Sequence, residues 1–198
     1  MRVFVSIRPP AAVLDHLDAA LDEVRTDAGR LLRWTDPEQL HMTLAFHPRL
    51  GEGAVEDHAA SIARIADETA PFGLELTGAG EFSRRTLWVG VGGDTDALRS
   101  LMSADLLGDE ERERRRAHLT VARVSATAVR GRGGRRRRHE EEPADLLLAR
   151  AVRALAVYRG PAWTVDEIQL VTSHLGRGRS GGPLHEVLDA FPLTGGDR

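Results

Sequence analysis

Two short segments of the sequence carry the same set of side chains that could do chemistry. His41-Met42-Thr43-Leu44 and His118-Leu119-Thr120-Val121 each hold a histidine and a threonine two residues apart, followed by an apolar residue. In a β-strand, side chains two positions apart lie on one face, whereas in a helix they point roughly 200° apart. Each segment therefore predicts a strand with an imidazole and a hydroxyl on one face and apolar side chains on the other.

Two imidazoles and two hydroxyls that meet in one cleft suit the cleavage of a phosphate ester. The unperturbed pKa of histidine, about 6.5, lets it give or take a proton near neutral pH. One neutral histidine can take a proton from attacking water while a protonated one supplies the leaving oxygen, each role contributing about 10²–10⁴-fold to the rate. The threonine hydroxyls can donate hydrogen bonds to phosphoryl oxygens, where negative charge increases.

Other chemistries have less support in the sequence. A single His-x-Thr segment is more often a structural histidine held by a local hydrogen bond, so the inference depends on the matched pair. Two histidines with no carboxylate at ligand spacing, in a chain without cysteine, fall short of an ordinary zinc site. A serine triad lacks its Gly-x-Ser-x-Gly turn, and ATP-dependent ligation lacks a phosphate-binding loop and any lysine. We therefore predict an enzyme that uses no metal and no cofactor.

The pattern along the chain predicts an α+β protein with mostly antiparallel strands. Apolar residues at helical spacing predict helices, and short runs of β-branched and aromatic residues predict strands. These elements alternate without forming regular βαβ units. The predicted strands cover residues 2–7, 40–47, 72–77, 86–91, 118–124, 162–175 and 184–188, and the predicted helices cover 11–25, 54–68, 95–107 and 144–157.

The repeated motif also predicts internal symmetry. His41-Met42-Thr43-Leu44-Ala45-Phe46 recurs as His118-Leu119-Thr120-Val121-Ala122-Arg123, and each copy lies in a run typical of a strand. Two lobes related by a pseudo-twofold axis, each contributing one such strand, would produce this repeat. We predict a single domain over residues 1–198, built from two such lobes.

At these residues the sequence resembles a known family. The segment from Arg33 to Phe46 resembles the first signature of the bacterial and archaeal RNA 2′,3′-cyclic phosphodiesterases, which are two-histidine phosphoesterases, and His118 to Arg123 resembles the second. The resemblance covers nearly the whole chain apart from residues 126–143. It implies a bilobal fold with two mostly antiparallel sheets around a central cleft. It also implies metal-independent opening of a 2′,3′-cyclic phosphate at an RNA end to leave a 2′-phosphate.

The resemblance further implies a role for each site residue. His41 would be the acid that protonates O3′, His118 the base that activates water, and Thr43 and Thr120 would hold the phosphate. Arg123 would bind phosphate through its guanidinium, and Phe46 would stack on the terminal base. Because side chains alternate between the two faces of a strand, this strand parity places Phe46 and Arg123 on the face opposite to the histidines. A strand end or a bulge must therefore bring them into the cleft.

The sequence departs from the family pattern at several positions. Ala117 replaces a common proline, His47-Pro48 replaces a common Leu-Gly pair, and His185 stands at a common tyrosine position, which puts a substrate contact there in doubt. Residues 126–143 form an Arg-, Gly- and Glu-rich insertion. We interpret it as a disordered, solvated loop; the alternative is that its arginines follow an RNA backbone beside the cleft.

Composition limits the partners and the location. The net charge is −3, so affinity for nucleic acid requires a local cluster of the 27 basic residues, all of which are arginine. No segment approaches the length of an apolar membrane span, and the apolar run at the N-terminus is too short for a secretory signal. We predict a cytoplasmic monomer that acts on an RNA end.

Two alternatives stay open: the same chemistry on a cyclic-phosphate nucleotide or a 2′-5′ linkage, and a non-catalytic module that binds RNA ends.

Overall fold

The computed structural model describes residues 1–108, 116–125, 144–179 and 182–195. This part of the chain contains nine strands and four helices. The strands are β1 (Val3–Ile7), β2 (Leu32–Trp34), β3 (Met42–His47), β4 (Phe72–Phe82), β5 (Thr86–Gly93), β6 (Leu119–Val124), β7 (Trp163–Val165), β8 (Glu167–His174) and β9 (Leu184–Pro192). The helices are α1 (Ala11–Ala28), α2 (Val55–Glu68), α3 (Thr95–Ser103) and α4 (Ala144–Ala154).

The N-terminal strand and helix form as their residue patterns predict. Every residue of β1 is buried, which fits the β-forming side chains at four of its five positions. Helix α1 begins directly after Pro10 and places its buried side chains at helical spacing, with Leu17 and Leu21 fully enclosed. It ends at Gly29, whose φ of 52° lies in the left-handed region that glycine adopts without strain.

All strand pairs are antiparallel, and the strands form two sets with a narrow junction. One set runs β7-β4-β5-β6, with β2 also paired to β6, and the other runs β3-β1-β8-β9. The junction between β3 and β6 has one registered residue pair, Met42 opposite Leu119. The two predicted sheets are therefore joined into one curled sheet at the two repeated motifs. The predicted α+β fold with antiparallel pairing is confirmed.

Several element boundaries differ from the sequence-based prediction. Strand β4 continues to Phe82, α3 ends at Ser103, and α4 ends at Ala154. The predicted strand over 162–175 is divided into β7 and β8 around Asp166, whose carbonyl accepts a hydrogen bond from the Leu193 amide. The three-residue strand β2 was not predicted, because so short a segment shows no alternation of its own. The predicted insertion at 126–143 lies outside the described residues.

No helix in the described ranges is both long and apolar enough to cross a membrane. The cytoplasmic location and the monomeric state stay predictions.

Candidate active site

Both motif histidines are fixed by the same local hydrogen bond. The Nδ1 atom of His41 lies 2.7 Å from the carbonyl oxygen of Gln39, and the Nδ1 atom of His118 lies 2.7 Å from the carbonyl oxygen of Arg116. A carbonyl oxygen only accepts, so Nδ1 donates in both cases, and the other ring nitrogen, Nε2, remains to exchange protons. The two rings therefore have the same tautomer and the same backbone restraint.

The sheet junction brings the two motifs together. Met42 and Leu119 face each other across β3 and β6, and the residues that flank this pair are the histidine and threonine of each motif. These four polar residues are partly buried, while Met42 and Leu119 are fully buried on the other face. All four polar residues line one cleft of about 520 Å³.

A bulge in each motif strand changes the strand parity. Between β1 and β3, Val5 pairs with Ala45 and Ser6 pairs with Thr43, so Leu44 is the extra residue. Between β5 and β6, Leu87 pairs with Ala122 and Trp88 pairs with Thr120, so the extra residue there is Val121. Such a bulge puts two successive side chains on the same side. Leu44 and Ala45 are accordingly both buried, as are Val121 and Ala122.

After the bulges, Arg123 and Phe46 have different surroundings. Arg123 is exposed and lines the cleft, as a phosphate-binding role requires. Phe46 is not among the described residues that line this cleft. The Arg2 guanidinium carbon lies 4.5 Å from the centroid of the Phe46 ring, so a cation already covers one face of that ring. Base stacking on Phe46 stays a prediction.

Aromatic side chains pack against both imidazoles. The Phe4 ring is stacked on His41 with centroids 4.6 Å apart, and Phe82 meets His118 edge-on at 4.9 Å. Trp88 also lies beside His118, at 6.2 Å between centroids. These neighbours shield the rings from water without offering a charge that would stabilise an imidazolium.

Burial lowers the pKa of both histidines. It lowers the pKa of His41 to about 4, and the nearby charges of His185, Arg8 and His118 act in the same direction against the bond to Gln39. Burial also lowers the pKa of His118, with a further contribution from the Arg123 guanidinium, while its bond to Arg116 opposes the shift. Burial therefore favours the neutral form of both imidazoles in the free protein.

A third histidine, His185 on β9, lines the same cleft. Its ring meets that of His41 edge-on at 5.1 Å and that of Phe4 at 4.9 Å. Burial lowers the pKa of His185, and the charge of Arg2 lowers it further. The sequence marks His185 only as a departure from a tyrosine; its contact with His41 depends on how β9 pairs with β8 beside β1.

Comparisons with known proteins identify the family of this chain. The model of the 2′-5′ RNA ligase superfamily matches residues 13–177. The chain is 26% identical to an RNA 2′,3′-cyclic phosphodiesterase of Methanothermobacter thermautotrophicus, covering 98% of this chain and 99% of that protein. It is 28% identical to a protein of the same name from Thermus thermophilus, covering 98% and 91%.

Solved structures show the same fold. The crystal structure of TT0787 from Thermus thermophilus aligns with a TM-score of 0.63 at 27% identity, over 98% of this chain and 99% of that chain. The crystal structure of E. coli LigT with phosphate aligns with a TM-score of 0.67 at 21% identity, over 98% and 97%. The fold is that of the two-histidine phosphoesterases. Within that class, the chain belongs to the 2′-5′ RNA ligase superfamily.

Proposed function

We propose that the protein hydrolyses the 2′,3′-cyclic phosphate at an RNA end to a 2′-phosphate, without a metal ion. The observation that carries the proposal is the pair of histidines, each held at Nδ1 by a backbone carbonyl and each accompanied by a threonine in one cleft. Relatives that the chain covers almost completely are named RNA 2′,3′-cyclic phosphodiesterases, which supports this substrate.

The reaction needs one base and one acid on opposite sides of the phosphorus. Water attacks phosphorus while the base histidine takes a proton from it; the P–O3′ bond breaks, and the acid histidine gives a proton to O3′. The products are a 2′-phosphate and a free 3′ hydroxyl, and the two histidines have exchanged protonation states. Their equal restraint at Nδ1 leaves Nε2 of each ring to carry out its transfer.

We assign the acid to His41 and the base to His118, as the family resemblance implies. Because the pKa of His41 is about 4 in the free cleft, the bound phosphate must raise it toward neutrality before His41 can carry a proton. An anion in contact with an imidazole favours its charged form, so substrate binding has the required direction. The lowered pKa of His118 favours the neutral imidazole, which can accept a proton.

The remaining cleft groups stabilise the charge that forms on the phosphoryl oxygens. Thr43 and Thr120 flank the sheet junction symmetrically and line the cleft, so each hydroxyl can donate to a non-bridging oxygen. Arg123 adds a planar guanidinium that can donate two parallel hydrogen bonds to phosphate.

The test is an assay in EDTA on a short RNA with a 2′,3′-cyclic phosphate end. Wild type, His41→Ala, His118→Ala and the control His58→Ala, which lies on α2 away from the cleft, are compared. We expect a 2′-phosphate product from wild type and the control, and a loss of about 10²-fold or more in kcat for either motif variant. A 3′-phosphate product would overturn the leaving-group assignment, and binding without turnover would overturn the enzymatic function.

A substrate with sulfur in place of the bridging O3′ separates the two roles. A thiolate leaves without needing a proton, so this substrate restores activity only to the variant that lacks the acid. We expect rescue of His41→Ala and none of His118→Ala. The reverse pattern would exchange the roles of the two histidines.

A further inference from the structure

The cationic side chains of the cleft are neutralised unequally. Among the described residues, four arginines line it, together with the carboxylate of Asp36. Arg25 is paired with Asp18 at 2.5 Å and Asp22 at 3.2 Å, and Arg179 lies 3.8 Å from Asp36. Within the described part of the chain, no carboxylate forms an ion pair with the other two, Arg33 and Arg123.

These two arginines are direct neighbours across two strands. Arg33 on β2 is the registered partner of Arg123 on β6, and paired side chains project from the same face. Both are exposed and both line the cleft. Like charges directly opposite each other destabilise a sheet, because their Cβ atoms lie about 5 Å apart. Among the described residues, the partner of Arg123 on the other side, on β5, is the uncharged Thr86.

Anionic oxygens bound by the two guanidinium groups would offset this repulsion. Arg123 is on β6, which begins directly after His118 and carries Thr120. The charge of Arg123 contributes to lowering the pKa of His118, so Arg123 lies beside the reaction centre. Arg33 lies on β2, the strand next to β6. β2 pairs with β6 farther along the strand than the residue pair that joins β3 to β6. The cationic pair therefore extends from the reaction centre along the cleft.

We propose that Arg33 forms a second phosphate subsite beside Arg123, so that Arg123 binds the reacting phosphate and Arg33 binds the phosphodiester on the 5′ side of the terminal nucleotide. Arg33 is then a specificity-determining residue, which makes the preferred substrate an oligonucleotide end rather than a cyclic mononucleotide. The guanidinium geometry suits a phosphodiester, which offers two non-bridging oxygens to bidentate donors. This inference rests on the proposed hydrolysis of a cyclic phosphate and names the substrate class for the same site.

The experiment compares two substrates that share the reacting group. One is a nucleoside 2′,3′-cyclic phosphate, and the other is a dinucleotide ending in the same cyclic phosphate, which adds one internucleotide phosphate. The quantity measured is the ratio of kcat/KM for the dinucleotide to kcat/KM for the mononucleotide. The variant is Arg33→Gln, and the matched control is Arg30→Gln, an exposed arginine of the same segment that does not line the cleft.

We expect wild type to prefer the dinucleotide and Arg33→Gln to lower the ratio by about tenfold, since a lost hydrogen bond to a charged group has an effect of this order. Arg30→Gln should keep the wild-type ratio. When the dinucleotide carries an uncharged methylphosphonate linkage, we expect the wild-type ratio to fall by the same factor as Arg33→Gln causes with the phosphodiester. With this methylphosphonate substrate, Arg33→Gln should cause no further loss. This non-additivity would identify the internucleotide charge as the partner of Arg33.

The outcomes separate the two proposals. If both substrates are hydrolysed and Arg33→Gln changes their kcat/KM by the same factor, the subsite is wrong and the hydrolase stands. A full effect of Arg33→Gln on the methylphosphonate substrate would also overturn the subsite. If neither substrate is hydrolysed by wild type, the proposed function itself fails.

Discussion

Met42 on β3 lies opposite Leu119 on β6, and both side chains are fully buried. Each residue directly follows a motif histidine and directly precedes a motif threonine. This residue pair thus joins the two strand sets and places His41 and His118 at the starts of two neighbouring strands. In the proposed mechanism this pairing matters because general acid and base must be placed on the two sides of one phosphorus atom.

The first prediction concerns the pH dependence of the reaction. The profile of kcat/KM reports the free protein, in which both motif histidines have pKa values below 6.5. The reactive form has one neutral and one protonated histidine and is most populated between those two values. We expect kcat/KM to be highest below pH 6.5, and the kcat profile to lie at higher pH because bound phosphate raises both pKa values. A kcat/KM maximum above pH 7 would contradict the burial of the two imidazoles.

The second prediction concerns stability as the pH falls. Because the pKa of His41 is lowered from 6.5 to about 4 in the folded protein, the unfolded chain binds more protons between these values. Stability from this group is therefore present above pH 6.5 and is lost as the pH falls toward 4, by about 3 kcal/mol at most. Urea unfolding at pH 7.5 and 4.5 should show a smaller loss for His41→Gln than for wild type. Carboxylates titrate in both proteins, so the difference isolates His41; equal losses would refute the prediction.

The third prediction concerns Gly80 on β4, which is covered by the ring of Trp88. A Cβ atom at Gly80 would lie 2.1 Å from the Trp88 ring, and Trp88 is itself beside His118. We expect Gly80→Ala to lower the free energy of unfolding by about 1–3 kcal/mol and to reduce activity, because the ring must move. Gly73→Ala on the same strand is the control, since a Cβ there meets no atom within 4 Å. Equal stability of the two variants in urea unfolding would contradict the packing.

The fourth prediction concerns the two motif threonines. Thr43→Val and Thr120→Val remove a hydroxyl and keep the branched shape, so the strands should be retained while the hydrogen bond to the phosphoryl oxygen is lost. We expect kcat to fall by about 10-fold or more for each, with little change in the urea midpoint. Thr164→Val on the exposed part of β7 should leave kcat as in wild type. A rise in KM alone, with kcat unchanged, would assign the hydroxyls to ground-state binding.

The sequence by itself predicts the class of chemistry and the polar residues of the candidate site. The two-residue spacing of His41 and Thr43, repeated at His118 and Thr120, is enough to place an imidazole and a hydroxyl on one strand face, because strand periodicity is a local property. It also determined the α+β character and most elements, since apolar spacing records which face each element buries. The sequence did not predict the boundaries of β4, α3 and β7–β8. Tertiary contacts, such as the hydrogen bond from the Leu193 amide to the Asp166 carbonyl, decide where those elements end.

Only the tertiary structure decided how the motifs meet and which other groups join them. Strand parity placed Arg123 away from the histidines, and the bulge at Val121, which appears only in the pairing with β5, brings it into the cleft. The juxtaposition of Arg33 with Arg123, and of His185 with His41, depends on strand order across distant parts of the chain. The lowered pKa of His41 likewise requires the burial that Phe4 and its neighbours provide. Register, burial and charge proximity are properties of the packed chain, and no local pattern of residues encodes them.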